Sequence, residues 1–576
     1  MFGWFVLFPD EYKELGINIA GGAGFFSNIL HSYDNGYFNS SANTKPLHHL
    51  WSLGVEEQFY IVWPILLLVS LKIRFSLFAI IVLITLASFF LNIQGIRSDK
   101  ISAFYLPHTR LWEMSLGGLL AWYSLYKRNI ISISSDNLRL PLRRIIHKCM
   151  ILLNRKIYRD IISIFGFLII LLSIFKLSDN LQFPGWWALL PTLGTILVIF
   201  AGADAWVNEK ILSARTIVWF GLITFPLYLW HWPLLTFAHI IEENELGTFT
   251  RISIVVVSIM LAWLTYRLIE HPIRLGHHNK EKTIVLFILI FIIGFIGLTI
   301  GNSVDNPRFS RVLEKIKGDI GYIGLIDFHA ELKNNNYLCT PINIRNDAVR
   351  LAYMGPDYIN CFQSKPSGPI EMVIIGDSHS TPLFFGLSEV LKKTNIANYS
   401  KFSLPLLFNV NYREIFKFIS DDNDIKTVII SAAWFRRLYE QPETVNFKFD
   451  LLNTVSLLVD SGKIVYISDD SPTLSFDPKL CKYDTLTLRR GHQCTENADK
   501  FNSKYEKYIG AIQDVASIFG DKVKILYVKD KFYKDNYFFV EKDGQLLFPD
   551  NGHLNIYGSR YLANEILKDH PDLLFK

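Results

Sequence analysis

The sequence predicts a two-part protein. A polytopic α-helical membrane domain over residues 1–301 precedes an α/β domain with a parallel sheet over 371–576. Three observations carry this. Half of the 576 residues are hydrophobic and only 19% are charged, below the roughly 25% usual for soluble domains. The long apolar runs are confined to the first 301 residues. From 371 onward the pattern changes to short apolar strands alternating with helical stretches, the signature of a parallel α/β sheet. This composition excludes a disordered or collagen-like chain. A net charge of +5 with no basic stripe among aromatics argues against nucleic acid as a partner.

Met1–Phe8 is an apolar stub ended by Pro9-Asp10-Glu11, far short of the roughly 20 apolar residues of a spanning helix. It carries no secretory signal and reads as the tail of a helix, in a chain that is N-terminally incomplete or starts from a late initiation codon. Segment 16–31 is short and glycine-rich, so it spans, re-enters or lies on the surface. The spans follow at 55–72, 75–93, 104–125, 160–177, 187–204, 217–240, 251–269 and 283–301. Loop 126–159 is rich in Lys and Arg, including Arg139, Arg143, Arg144 and Lys148, and loop 270–282 adds Arg274, Lys280 and Lys282. Loops 178–186 and 241–250 have no Lys or Arg, and Glu242, Glu243 and Glu245 stand in the second. Basic loops mark the cytoplasmic side. An even number of spans separates the two, and one further span puts everything after 302 outside.

Cysteine usage tests that orientation separately. Cys149 falls in the basic loop, whereas Cys339, Cys361, Cys481 and Cys494 all follow residue 302, where an oxidising compartment permits disulfides. Four cysteines allow three pairings. Cys339–Cys361 and Cys481–Cys494 close the shortest loops and are expected, with unpaired buried thiols as the alternative. Residues 302–370 are polar and irregular, a linker or an extension packed on the sheet.

In the α/β domain, strands are expected at 372–375, 428–430, 464–467 and 523–528, with helices near 380–393, 447–461, 497–518 and 555–567. The first strand runs into Gly376-Asp377-Ser378-His379, and Asp550-Asn551-Gly552-His553 precedes the last helix. A serine at the carboxyl end of a parallel strand stands where open α/β sheets place ligands. The helix after it aims backbone N–H groups at the same point, which suits an oxyanion. A serine nucleophile needs a base, and the base needs an orienting carboxylate; a DxxH turn supplies both. A capping serine and a surface histidine are the plainer alternative.

These two motifs together resemble the SGNH/GDSL hydrolase family, in a variant with GDSH. The resemblance implies Ser378 as nucleophile, His553 as general base, Asp550 as its partner, and Gly376 and Asp377 as the nucleophile loop. The family draws an oxyanion-hole asparagine from a later strand; here Ser431-Ala432-Ala433-Trp434-Phe435-Arg436 occupies that region. Trp434 and Arg436 are candidates to line the site, or else serve packing and surface.

The membrane domain places polar residues where lipid does not favour them. His48, His49, Trp51, Glu56, Glu57 and Gln58 lead into one span, and Arg110 and Glu113 open another. Tyr228 and His231 lie inside a third, and Arg267 and Glu270 close the next. The aromatics also suit an interfacial belt, and Arg267 with Glu270 suits an end-of-helix pair. The segments LHHLWSLGVEEQFY (47–60), RLWEMSLGGLLA (110–121), LYLWHWP (227–233) and YRLIEHPIR (266–274) resemble, in this order, acyltransferase family 3. The first-span Arg and His of that family have no counterpart here, and His48 and His49 belong to a different landmark.

Fusion to an SGNH domain resembles bacterial O-acetyltransferases of O-antigen, similar surface polysaccharides or peptidoglycan. The resemblance implies a multi-pass protein of the bacterial inner membrane with a periplasmic or extracellular C-terminal domain. It further implies acetyl-CoA as donor, no bound cofactor or metal, and a hydroxyl of an envelope polysaccharide as acceptor. Arg143 and Arg144 could meet CoA phosphates, although topology already explains them. A membrane-anchored acetyl-esterase using the same Ser378, Asp550 and His553 is the alternative, and a non-catalytic transporter or binding protein the more distant one.

Overall fold

The computed structural model describes residues 1–33, 44–72, 76–98, 100–136, 155–177, 181, 183–242, 246–275, 279–302, 325–339, 361–401, 403–440, 444, 446–483 and 491–574. Cys149 and most of the basic loop, with Arg139, Arg143, Arg144 and Lys148, lie outside them, as do Glu243, Glu245 and much of 302–370.

Among the described residues, six helices are long and apolar enough to cross a membrane: Leu50–Lys72, Leu77–Arg97, Lys156–Lys176, Arg215–Glu242, Thr248–Leu275 and Lys280–Asn302. Two of the eight expected spans differ. The expected span 104–125 is interrupted at its start, because Pro107 lacks an N–H and opens a short 3-10 turn. The helix proper runs Leu111–Asp136 and falls outside the six. The expected span 187–204 is the shorter apolar helix Gly185–Ala201. It packs against Lys156–Lys176 through Gly166 and Gly194, where an added Cβ on either would meet the other's carbonyl oxygen. Arg159 donates to the Ala201 carbonyl at 2.6 Å, so this hairpin returns the chain to the level at which it started.

Segment 16–31 is not one helix. Pro9–Ala23 and Ser27–Tyr33 are separate, broken at Gly24-Phe25-Phe26 where Phe25 takes a left-handed φ of 59°. Pro9–Ala23 lies along the last span: Gly16 and Ala20 meet Gly297 and Gly301 at backbone contact. Small residues at this spacing let helices approach closely in a membrane, where packing rather than hydrophobicity holds them together.

Among the described residues, the C-terminal domain forms a seven-stranded sheet with helices on its faces. Its strands are β1 (Tyr337–Leu338), β2 (Cys361–Gln363), β3 (Met372–Gly376), β4 (Ile396–Ser400), β5 (Thr427–Ser431), β6 (Ile464–Ser468) and β8 (Val523–Leu526). β7 (Thr495–Asn497) pairs elsewhere, in a small separate ribbon. The sheet order is β1-β2-β4-β3-β5-β6-β8; from β4 to β8 neighbours are parallel, and β1 and β2 add an antiparallel edge. Every residue of β3, β4 and β5 is buried, as expected for strands covered on both faces.

All four expected strands form, and β4 joins them as an unexpected fifth parallel one. Its sequence, Ile-Ala-Asn-Tyr-Ser, is too polar for the continuous apolar pattern; Asn398 is accommodated by bonds to Ser380 and Thr381. The helices Ser380–Val390, Phe447–Asp460, Ala498–Phe519 and Ile556–Asp569 match their expected places, and Val410–Asp421 is additional. Both expected disulfides form: Cys339–Cys361 ties the end of β1 to β2, with Cα atoms 5.4 Å apart, and Cys481–Cys494 closes a 13-residue separation.

Candidate active site

β3 is the point where the sheet reverses its winding, since β4 lies on one side of it and β5 on the other. The crevice outside the carboxyl ends of such strands is the ligand position of open α/β sheets, and Ser378 follows β3 by two residues. Gly376 is required at that point. A Cβ there would collide with the Ser431 carbonyl of neighbouring β5.

The last turn brings the rest. Asp550 Oδ1 accepts the backbone N–H groups of Gly552 and His553, both at 2.8 Å, which folds the DxxH segment into a tight loop. The same carboxylate meets His553 Nδ1 at 2.8 Å through Oδ2, and His553 Nε2 stands 3.0 Å from Ser378 Oγ. Burial opposes ionisation of Asp550, but the His553 ring and the two backbone donors outweigh it and hold the carboxyl well below its usual range. An ionised Asp550 fixes the Nδ1–H tautomer of His553 and leaves Nε2 to accept the serine proton.

Asp377 does not face outward. Its carboxylate is fully buried, receives the Ala433 N–H at 3.2 Å and the His379 N–H at 3.1 Å, and pairs with Arg437 Nε at 3.2 Å. It thereby ties the nucleophile turn to the segment after β5. Trp434, a candidate for the site lining, is instead fully buried and donates to the Ser468 carbonyl at 2.8 Å. The arginine that reaches the site is Arg437 rather than Arg436. The Ala433 N–H, in the region where the family places its asparagine, is committed to Asp377.

Sequence reasoning also missed a second histidine–carboxylate pair. His379 Nδ1 lies 2.6 Å from Asp470 Oδ1, and the His379 ring meets the His553 ring edge-on, with centroids 4.9 Å apart. The signal was present in Asp469-Asp470, two acids directly after a buried strand at the ligand end of the sheet.

In the membrane region the candidates separate into groups. Tyr228 Oη lies 2.6 Å from Ser52 Oγ and donates to the His49 carbonyl, which joins the LYLWHWP helix to the 47–60 segment. His231 sits beside them, its ring centroid 6.0 Å from that of His49, with Nδ1 against the Leu227 carbonyl. Arg110 pairs with Glu113 at 3.1 Å and lies over the rings of Trp51, Phe104 and Phe183. Glu56 is exposed and Glu57 half-buried, whereas Gln58 bonds Asn28 and the Phe25 carbonyl. Arg267 and Glu270 do not pair: Glu270 meets Arg274 at 3.6 Å, one helical turn on, and Arg267 lies over Trp263.

Residues 15–297 match the family described as an acyltransferase domain, and residues 347–568 match the SGNH domain fused to AT3 domains. The putative peptidoglycan O-acetyltransferase YrhL of Bacillus subtilis is 30% identical over 283 residues, 47% of this chain and 42% of that one. The peptidoglycan O-acetyltransferase OatA of Listeria monocytogenes is 28% identical over 273 residues, 46% of this chain and 41% of the relative. The chain thus spans less than half the length of these curated relatives. Among solved structures, the periplasmic domain of a lipopolysaccharide acetyltransferase from Salmonella ser. Paratyphi A aligns with 43% of this chain and 99% of its own, at 13% identity and a TM-score of 0.32. With an acyltransferase match over its helical half and an AT3-fused SGNH match over most of the remainder, the chain belongs to the acyltransferase family 3 proteins that carry a C-terminal SGNH domain.

Proposed function

We propose that this protein moves an acetyl group from cytoplasmic acetyl-CoA to a hydroxyl of an envelope polysaccharide, and that Ser378 carries the group on the outer face of the membrane. The observation that carries the reading is the chain of contacts Ser378 Oγ–His553 Nε2–His553 Nδ1–Asp550, at 3.0 and 2.8 Å, in a domain fused to a membrane acyltransferase region. The names of the relatives support O-acetylation of a glycan and favour peptidoglycan as its class.

The chemistry follows from the geometry. His553 Nε2 takes the proton of Ser378 as Oγ attacks the acetyl carbonyl, Asp550 stabilising the imidazolium that forms. The Ser380–Val390 helix opens directly after the nucleophile turn, so its N-terminal end favours the oxyanion. Collapse returns the proton to the leaving group and leaves an acetyl ester on Ser378. In the second half His553 removes the proton of a sugar hydroxyl, whose oxygen attacks that ester and restores the serine. Ser378 and His553 are both more than nine-tenths buried, which limits competition by water. The acetyl group reaches this site through the membrane region, where the Arg110–Glu113 and Tyr228–His231 groups are candidates to handle it. The basic loops, read as cytoplasmic, support an SGNH domain on the outer side of a bacterial inner membrane.

The test is the base-labile acetyl content of purified envelope polysaccharide from cells expressing the wild type or Ser378→Ala. Loss of acetyl ester in the variant is expected. A rise would assign the site to an esterase, and an unchanged content would remove Ser378 from the reaction.

A further inference from the structure

The pair His379–Asp470 has no part in the three-residue relay, yet it is built into the same crevice. The His379 side chain is 11% exposed and Asp470 6%. A carboxylate so enclosed is costly without a charged partner, and the 2.6 Å separation is that of a charge-assisted hydrogen bond. Ser471, the next residue, lies 3.4 Å from the same His379 nitrogen and donates to the Gly552 carbonyl at 2.9 Å. The pair therefore connects the turn carrying Ser378 to the turn carrying His553, and one face of the His553 environment is the His379 ring.

We propose that His379, held as an imidazolium by Asp470, is a positioning residue for the transfer reaction: it fixes the His553 ring and keeps that ring unprotonated, ready to act as base. This inference rests on the reading of Ser378, His553 and Asp550 as the transfer site. A cation beside His553 disfavours a second positive charge there.

The surrounding charges are consistent with a charged His379. Burial alone would lower its pKa, but Asp470 first, then Asp377 and Asp550, raise it on balance. Asp377 is already engaged by Arg437, and Asp550 by His553. Asp469, on the same loop as Asp470, is turned to Tyr505 and the Val528 N–H, and burial pushes its carboxyl up to about 8. From the Ala498–Phe519 helix, the buried phenols of Tyr505 and Tyr508 also flank the two acids; burial raises both, aided by Asp469 at Tyr505 and by Asp470 and Asp469 at Tyr508. Asp470 thus faces His379 as its main counter-charge.

The test is the pH dependence of kcat/KM for p-nitrophenyl acetate hydrolysis by the full chain in detergent. His379→Gln keeps a donor for Asp470 but removes the cation and leaves the anion, so the acidic limb should move up by about one pH unit. The double variant His379→Gln/Asp470→Asn removes both charges at nearly constant shape. Its limb should lie above the wild type and below the single variant. Should the single variant not fold, a double-variant limb at or below that of the wild type overturns the proposal. So does a set of coincident limbs with only the rate reduced, the mark of a purely structural role. Hydrolysis that survives in Ser378→Ala would instead refute the transfer-site reading beneath it.

Discussion

Replacing His553 by alanine should lower kcat for hydrolysis of a small acetyl ester by about 10³-fold or more, and adding Ser378→Ala to it should cost almost nothing further. The reason is that serine and base act as one unit: with its Nε2 acceptor gone, Ser378 Oγ keeps its proton at neutral pH and is a poor nucleophile. Residues that act together are strongly non-additive, so the double variant should resemble either single one. Asp550→Asn tests the third member. An asparagine presenting its amide to Nδ1 would favour the wrong tautomer, and losses of about 10⁴-fold follow such a change in the serine-protease template. Multiplicative losses in the double variant would show that Ser378 and His553 do not share a step.

The second large effect concerns stability. Arg437→Ala should destabilise the SGNH domain by about 3–5 kcal/mol, the usual result of removing one partner of a buried ion pair. Arg437 and Asp377 are 3% and 0% exposed, so an unpaired Asp377 would stay buried, with the Ala433 and His379 N–H groups its remaining donors among the described residues. Because Asp377 lies between Gly376 and Ser378, the damage should reach the nucleophile turn. Urea-dependent pulse proteolysis of the full chain reads this loss directly, and a change below about 1 kcal/mol would place the pair effectively in solvent.

That contrast shows which parts of the molecule can be read from sequence. Ser378, His553 and Asp550 were legible because each sits in a short motif whose spacing already implies its geometry. The DxxH turn closes on itself through the backbone donors of Gly552 and His553. Arg437 was not legible. Its partner lies 60 residues earlier, and the two meet only because β5 pairs with β3. The His379–Asp470 contact likewise spans 91 residues and depends on where β6 ends.

The sheet was predictable where strands are continuously apolar, as in β3, β5 and β6, and opaque where a buried asparagine finds partners by tertiary contact, as in β4. In the membrane half, hydropathy located the long apolar helices. It did not register that Pro107 delays one helix to Leu111, or that the break at Gly24 divides another segment in two. Nor could it show that Glu270 would reach Arg274 rather than Arg267, since one helical turn in either direction offers a cation.

In the proposed transfer, a carbon fragment from the cytoplasm is carried by Ser378 on the opposite side of the membrane. Acetyl-CoA labelled in its acetyl group and supplied only to the cytoplasmic face of sealed vesicles tests it, followed by mass spectrometry of the peptide containing Ser378. A labelled acetyl ester on Ser378 that disappears when acceptor polysaccharide is added outside is expected. Labelled polysaccharide formed while Ser378 never carries the label would contradict it.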